Sequence, residues 1–380
     1  MGLTIRMIFC FFLLTLNLAS HALPPAFIKG GIGVFLYDAY QANGPTSPIQ
    51  KDHVGQWAAD IQTYQQGALP KNLITRIYTY SGALSTTCTD ISKCIYSGPN
   101  KNVEVGYDPS DFGPSSVAAY RAAFPNMLIL AIIDADATPA DFPLLSNPTF
   151  GTAVANQLTT EICADINVDG VVLDLEPFNF LPNQGQFSLY RQIAINFAGP
   201  QCIDQKHPNG RVFGIFMNPN KVSDWTVVSG MLGNTGVLIV DAYDIIDNAP
   251  PPVNNNLYLS SITGKIGTFM NPNSIQYKIP YTVALAASAS YSAFDEIGTY
   301  DSSAPAPYYF KLTQDFGPDI TQYKYVHTIL GMLQQQATSG LYQGQDLWKW
   351  AQYTAPQKNS NTLLMPTIPR ADVLTLLQNQ

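Results

Sequence analysis

A chain of 380 residues can bury one large barrel or two smaller domains. Its 27 acids outnumber its 19 Lys and Arg, and a net charge of −8 argues against the basic patch that a phosphate backbone requires, so nucleic acid is not an expected partner. Charged residues are only 12% of the chain, which suits an exported protein rich in neutral polar side chains.

The first segment carries Arg6, then an apolar run from Met7 to Ala19, then Ser20-His21-Ala22 with small residues at its first and third positions. This is the pattern of a cleavable signal peptide over residues 1–22. The run is short for a membrane span, and Pro24-Pro25 follows at once, so no stable insertion after cleavage is expected. The expected location is secreted or periplasmic. Cleavage removes Cys10 and leaves Cys88, Cys94, Cys163 and Cys202. An even count in an exported chain implies two disulfides. Cys88–Cys94 would close a small loop and Cys163–Cys202 would tie two helix ends, with the other pairings open. The spacing is not that of a zinc site, and no metal or cofactor is expected.

From residue 23 onward, short apolar runs alternate with helical patterns. The runs lie at 31–37, 73–80, 127–133, 170–175, 211–217, 237–243, 279–286 and, less sharply, 345–350. Near-continuous apolar runs suit strands covered on both faces. Helical patterns lie at 51–67, 149–166, 184–198, 221–232, 320–337 and 370–379. In the second, Val154, Leu158 and Ile162 recur four apart on one face. Eight alternations without a composition break predict an α/β fold, a single (β/α)8 barrel over residues 23–380. A doubly wound open sheet is the alternative, but no Gly-x-Gly-x-x-Gly turn follows the first strand. The Pro- and Asn-rich stretch 248–256 is a loop after strand six. A monomer is expected.

In such a barrel, chemistry sits at the C-terminal ends of the strands. Tyr37, Asp134, Met217 and Asn218 fall on that rim and are candidate substrate contacts. The fourth strand is the most informative: Asp169-Gly-Val-Val-Leu-Asp174-Leu-Glu176. Alternate strand residues share a face, so Val172, Asp174 and Glu176 point together, inward in a barrel. Neighbouring carboxylates in a partly dry site repel, and one of them then tends to keep a proton. A protonated Glu beside an ionised Asp is suited to glycosidic bond cleavage. Acids at strand ends are also common as ordinary loop residues or metal ligands.

This segment resembles the glycoside hydrolase family 18 signature Asp-Gly-x-Asp-x-Asp-x-Glu. Asp169, Gly170, Asp174 and Glu176 match it, and Val172 stands at the middle Asp. Asp241-Ala-Tyr243-Asp244 on strand six resembles the family's Met-x-Tyr-Asp. Gly344-Gln-Asp-Leu-Trp348 resembles its strand-eight segment ending in Trp, and Pro280-Tyr281 its strand-seven segment. Strand three, Leu128–Asp134, departs from the family's Ser-x-Gly-Gly.

The resemblance implies hydrolysis of β-1,4 bonds next to N-acetylglucosamine by a substrate-assisted route. Glu176 would be the acid, Asp174 the partner of the acetamido N–H, Tyr243 a donor to the acetamido oxygen, and Trp348 the floor under the sugar. Asp244 would support the site from the other face of its strand. A plain reading makes Tyr243 a core residue, and Trp350 could replace Trp348 at the floor. Asp241, two residues before Tyr243, should also point inward. It is expected in the layer of Val172, where it would supply a carboxylate beside Asp174. The expected partner is a glycan containing N-acetylglucosamine. The alternative is a catalytically weak or inactive glycan-binding protein, because Val172 cannot relay charge. The 287–318 insertion is the expected wall of the groove.

Overall fold

The computed structural model describes residues 31–36, 40–42, 50–52, 54–88, 90–95, 98–100, 102–107, 116–136, 147–176, 186–217, 225–232, 236–242, 279–286, 322–336, 340–351, 369 and 371–380. The expected signal peptide (residues 1–22) and the expected groove wall at 287–318 lie outside them.

Eight parallel strands pair in sequence and close on themselves. They are β1 (Gly31–Leu36), β2 (Ile74–Thr86), β3 (Leu128–Asp136), β4 (Gly170–Glu176), β5 (Val212–Met217), β6 (Gly236–Asp241), β7 (Tyr281–Ala286) and β8 (Tyr342–Ala351). Closure is explicit in the register: Val34 pairs with Ile77 on β2 and with Leu347 on β8. The protein is therefore a (β/α)8 barrel, as the eight apolar runs predict.

Helices α1 (Val54–Gly67), α2 (Ser116–Ala123), α3 (Pro148–Ala164), α4 (Phe187–Phe197), α5 (Trp225–Leu232), α6 (Gln322–Gln336) and α7 (Ala371–Asn379) cover the strands. In α3, Asn147 caps the N-terminus by accepting from the Thr149 amide, and Pro148 occupies the first turn, where its missing N–H costs nothing. Val154, Leu158 and Ile162 are all buried, as their spacing requires.

Alternation sorts side chains into two cores. Phe35, Tyr78, Leu130, Ile132, Val172, Val212, Ile239 and Ala284 fill the barrel. Their neighbours, such as Val171, Leu173, Phe213 and Leu238, pack outward on the helices. Both faces are dry, which is why the strands read as continuous apolar runs.

Two features depart from the sequence reading. Residues 50–52 form a short antiparallel pair with Tyr40–Ala42 rather than the start of a helix. Strand β2 runs six residues past its expected end at 80, because Leu84–Thr86 pair antiparallel with Val103–Val105. The extra length is absorbed at a bulge between Tyr80 and Ala83, where Gly82 takes φ 129°.

The expected disulfides form. Cys88–Cys94 closes the loop beyond the extended β2, and Cys163–Cys202 joins the last turn of α3 to the short 3-10 turn after α4. No described helix is long and apolar enough to cross a membrane.

The N-terminal end of the barrel is tied by charge. Asp169 accepts from Arg121, from the Ile129 amide and from His207 Nε2 at 2.9 Å. His207 Nδ1 lies 2.9 Å from Asp204. The first acid of the strand-four motif is thus a structural tie. A cavity of 480 Å³ opens here, lined by Thr75, Met127, Leu128 and Asp169 among others, at the opposite end from the rim carboxylates.

Candidate active site

Strands β3 and β4 end at the C-terminal rim in two cross-strand pairs of acidic residues. Asp134 pairs in register with Asp174, and Asp136 pairs with Glu176. Ile132 and Val172 below them face the barrel interior, so by alternation Asp134 and Asp174 are inward; the side chain of Asp136 is outside the described residues. Asp134 and Asp174 are half-buried. The Tyr80 hydroxyl donates to Asp134 Oδ1 at 2.9 Å. On α4, burial first and the charge of Asp174 second hold the Tyr190 hydroxyl well above its ordinary range, so Asp174 is felt through the wall of the barrel. Tyr190 donates to Gln186 Oε1. Of Glu176 the backbone is described, as the last residue of β4; its side chain is outside the described residues.

The floor of the rim is aromatic. Phe35 stacks on Tyr78 with centroids 4.4 Å apart and meets the edge of Phe216 at 6.1 Å. Trp348, half-buried, packs against this interior cluster. Trp350 points to the opposite side and is buried against Tyr64 of α1. Of the two tryptophans it is therefore Trp348 that reaches the barrel interior.

Below the aromatics lies a buried ion pair. Arg76 Nη2 is 2.8 Å from Asp346 Oδ1, and Tyr78 donates to Asp346 Oδ2 at 3.0 Å. Arg76 also donates to the carbonyls of Gly31 and Gln345. Burial works against the charge on Arg76, and Asp346 with Tyr78 outweighs it, so the guanidinium ends above its ordinary value. Burial, then the Asp346 charge, keeps the Tyr78 hydroxyl protonated. Sequence reading did not single out this trio. Arg76 and Tyr78 share a face of one strand, but their partner lies about 270 residues away and nothing local signals it.

One expectation is corrected. Met217 does not face the rim: it is buried with Phe213 and Ile215 in the layer between strands and helices, and Phe216 takes the inward position. Strand parity, one residue off, accounts for the difference. A Cβ placed on Gly214 would lie 2.9 Å from both Ile239 and Val172, so Ile239 flanks Val172. Asp241 ends β6, paired with Ala284, and its side chain is outside the described residues. Tyr37, Asn218, Tyr243 and Asp244 are also outside them. No group of three or more His, Cys, Asp or Glu among the described residues could hold a metal ion.

No family model and no curated protein matches the chain. Solved structures similar to it include a chitinase from Bacteroides thetaiotaomicron, at 12% identity and TM-score 0.47 over 85% of this chain and 89% of that one. Another is an endo-beta-N-acetylglucosaminidase from Cordyceps militaris, at 10% identity and TM-score 0.42 over 93% and 92%. A xylanase and alpha-amylase inhibitor protein from Scadoxus multiflorus is also similar, at 10% and 0.46 over 84% and 92%. Likenesses this remote carry no argument about chemistry; the fold rests on the register described above.

Proposed function

We propose that the protein is a secreted glycoside hydrolase that cleaves β-1,4 linkages next to N-acetylglucosamine, in chitin oligosaccharides or an N-glycan core, by a substrate-assisted retaining mechanism. The observation that carries the reading is the register of β4. Asp174 follows Val172 on the inward face, and Glu176 ends the strand two residues on, at the rim where barrel enzymes do their chemistry.

In this reading Glu176 gives its proton to the leaving glycosidic oxygen as the bond to the anomeric carbon breaks. The acetamido oxygen of the same sugar forms the new bond to that carbon, from the opposite face. Asp174 accepts from the acetamido N–H and stabilises the positive charge that spreads over the ring so formed. Glu176, now a carboxylate, takes a proton from water, and the hydroxide adds where the leaving group stood as the bond from the anomeric carbon to the acetamido oxygen breaks and the acetamido group is restored. Two inversions give retention. Tyr243 donates to the acetamido oxygen, and Trp348 supports the C–H face of the sugar. The two disulfides support export, since they persist in oxidising compartments.

Val172 at the middle motif position favours a second reading, a glycan-binding barrel without turnover. Hydrolysis of a fluorogenic chitobioside or chitotrioside separates the two. Turnover that falls by about a hundredfold or more in Glu176→Gln supports the hydrolase. Binding of chito-oligosaccharide by both forms, with turnover by neither, supports the second reading.

A further inference from the structure

The β3–β4 register sets two carboxylates side by side. Asp134 and Asp174 are direct cross-strand partners on parallel strands, whose spacing is about 4.8 Å. Both are inward and half-buried. At that separation, in a site only partly open to water, two full negative charges are costly, and one proton held between the two carboxyls removes the cost. The Tyr80 hydroxyl already donates to Asp134 Oδ1, from the strand on the other side. This fixes that carboxyl against β2 and favours its ionised form.

We infer that Asp134 is a positioning residue for Asp174: the two carboxyls share one proton across β3 and β4, and the pair acts as a single negative charge at the rim. This rests on the proposed hydrolase reading for its consequence, though not for its existence. The proton stays within the pair throughout. One Asp174 oxygen is held toward Asp134 and the other is left to accept from the acetamido N–H. A pair charge of one, not two, also keeps Glu176 from holding its proton too tightly to donate it. Among the described side chains, Tyr80 on β2 donates to Asp134, and the charge of Asp174 reaches Tyr190 on α4; Asp136 and Glu176 follow the pair in the backbone register of β3 and β4, and Asp241 ends β6. The charge of Arg76 in the layers below is already met by Asp346.

This assigns Asp134 a role other than sugar contact, and it makes Val172 tolerable. The carboxyl beside Asp174 comes from the neighbouring strand, not from two residues earlier on its own.

The test is a carboxyl titration by NMR of the full protein with carbon-13 in the aspartate side chains. One carboxyl should keep its proton well above the ordinary aspartate range of about 4, and that titration should vanish in both Asp134→Asn and Asp174→Asn. In Tyr80→Phe, which keeps both acids, it should move to higher pH, because a donor to the anion is lost. A wild type without such a titration, or one that survives in either Asn variant, overturns the proposal. Kinetics supply a separate arm. Asp134→Asn should lower kcat by about ten- to a hundredfold, with KM nearly unchanged; a raised KM at unchanged kcat would mean a sugar contact instead. If chitobioside is not cleaved but the titration is as expected, the substrate reading fails and the pair stands. If Glu176→Gln abolishes turnover but no shared titration exists, the reverse holds.

Discussion

Trp348 and Trp350 are two residues apart on β8 yet face opposite sides of it, because the pairing with β1 slips between Leu347 and Ala351 and breaks the strict alternation; the first packs toward the barrel interior and the second against Tyr64 of α1 at 5.7 Å. Their replacements should therefore fail differently. Trp350→Ala empties a fully buried site and should cost about 3–5 kcal/mol of stability. Trp348→Ala removes a half-buried ring and should leave the unfolding midpoint nearly in place, while weakening chito-oligosaccharide binding by about tenfold or more. Chemical denaturation and a binding isotherm on the two variants check this. An exchange of the two phenotypes would show that the assignment of faces is wrong.

The Arg76–Asp346 pair is buried on both sides, so its members depend on each other. Asp346→Ala leaves a guanidinium in the barrel with no counter-charge and should destabilise by about 3–5 kcal/mol. Replacing both, as Arg76→Met with Asp346→Leu, should recover a large part of that loss, because the cost lies in the orphaned charge. A double-mutant cycle in urea measures the coupling. Additive losses would mean that the two side chains act independently.

Glycine positions separate close approach from open surface. A Cβ on Gly170 would meet the Val212 carbonyl oxygen at 2.0 Å, and backbone cannot yield as a side-chain tip can. Gly170→Ala should therefore pry β4 from β5, destabilising the fold by more than about 2 kcal/mol. The Asp-Gly of the motif is explained here by packing, not chemistry. Gly331 on α6 has nothing within 4 Å of such a Cβ, and Gly331→Ala should stabilise by about 1 kcal/mol through helix propensity. Thermal melts of the pair should shift in opposite directions.

Asp60 on α1 gives a pH signature. Burial raises its carboxyl above the ordinary value, so the ionised form is penalised in the folded state. Below the unfolded value of about 3.9 both states are protonated and there is no cost. As pH rises toward the folded value the cost grows, and above it the cost is full. Asp60→Asn should then stabilise at pH 7 by about 0.5 kcal/mol, discounted for the solvent that screens a half-buried group, and by nothing near pH 3. Midpoints measured at both pH values test the sign; an equal gain at pH 3 would point to a cause other than charge.

What the sequence determined by itself is what depends on neighbours along the chain. Eight apolar runs were legible as strands because both faces of each are dry, and Val172, Asp174 and Glu176 could be placed together because the strand period is two residues. The helix face of Val154, Leu158 and Ile162 followed from the same kind of local spacing. Tertiary structure alone decided what depends on pairing between strands. The register puts Asp134 directly across from Asp174, seats Ile239 beside Val172, and turns Met217 outward. The Arg76–Asp346 pair joins the second strand to the last, and only closure of the barrel makes them neighbours. The hydrophobic pattern of a single strand says which of its residues are alike. It carries no count of how far the next strand has slid along it, and that offset decides which side chains meet.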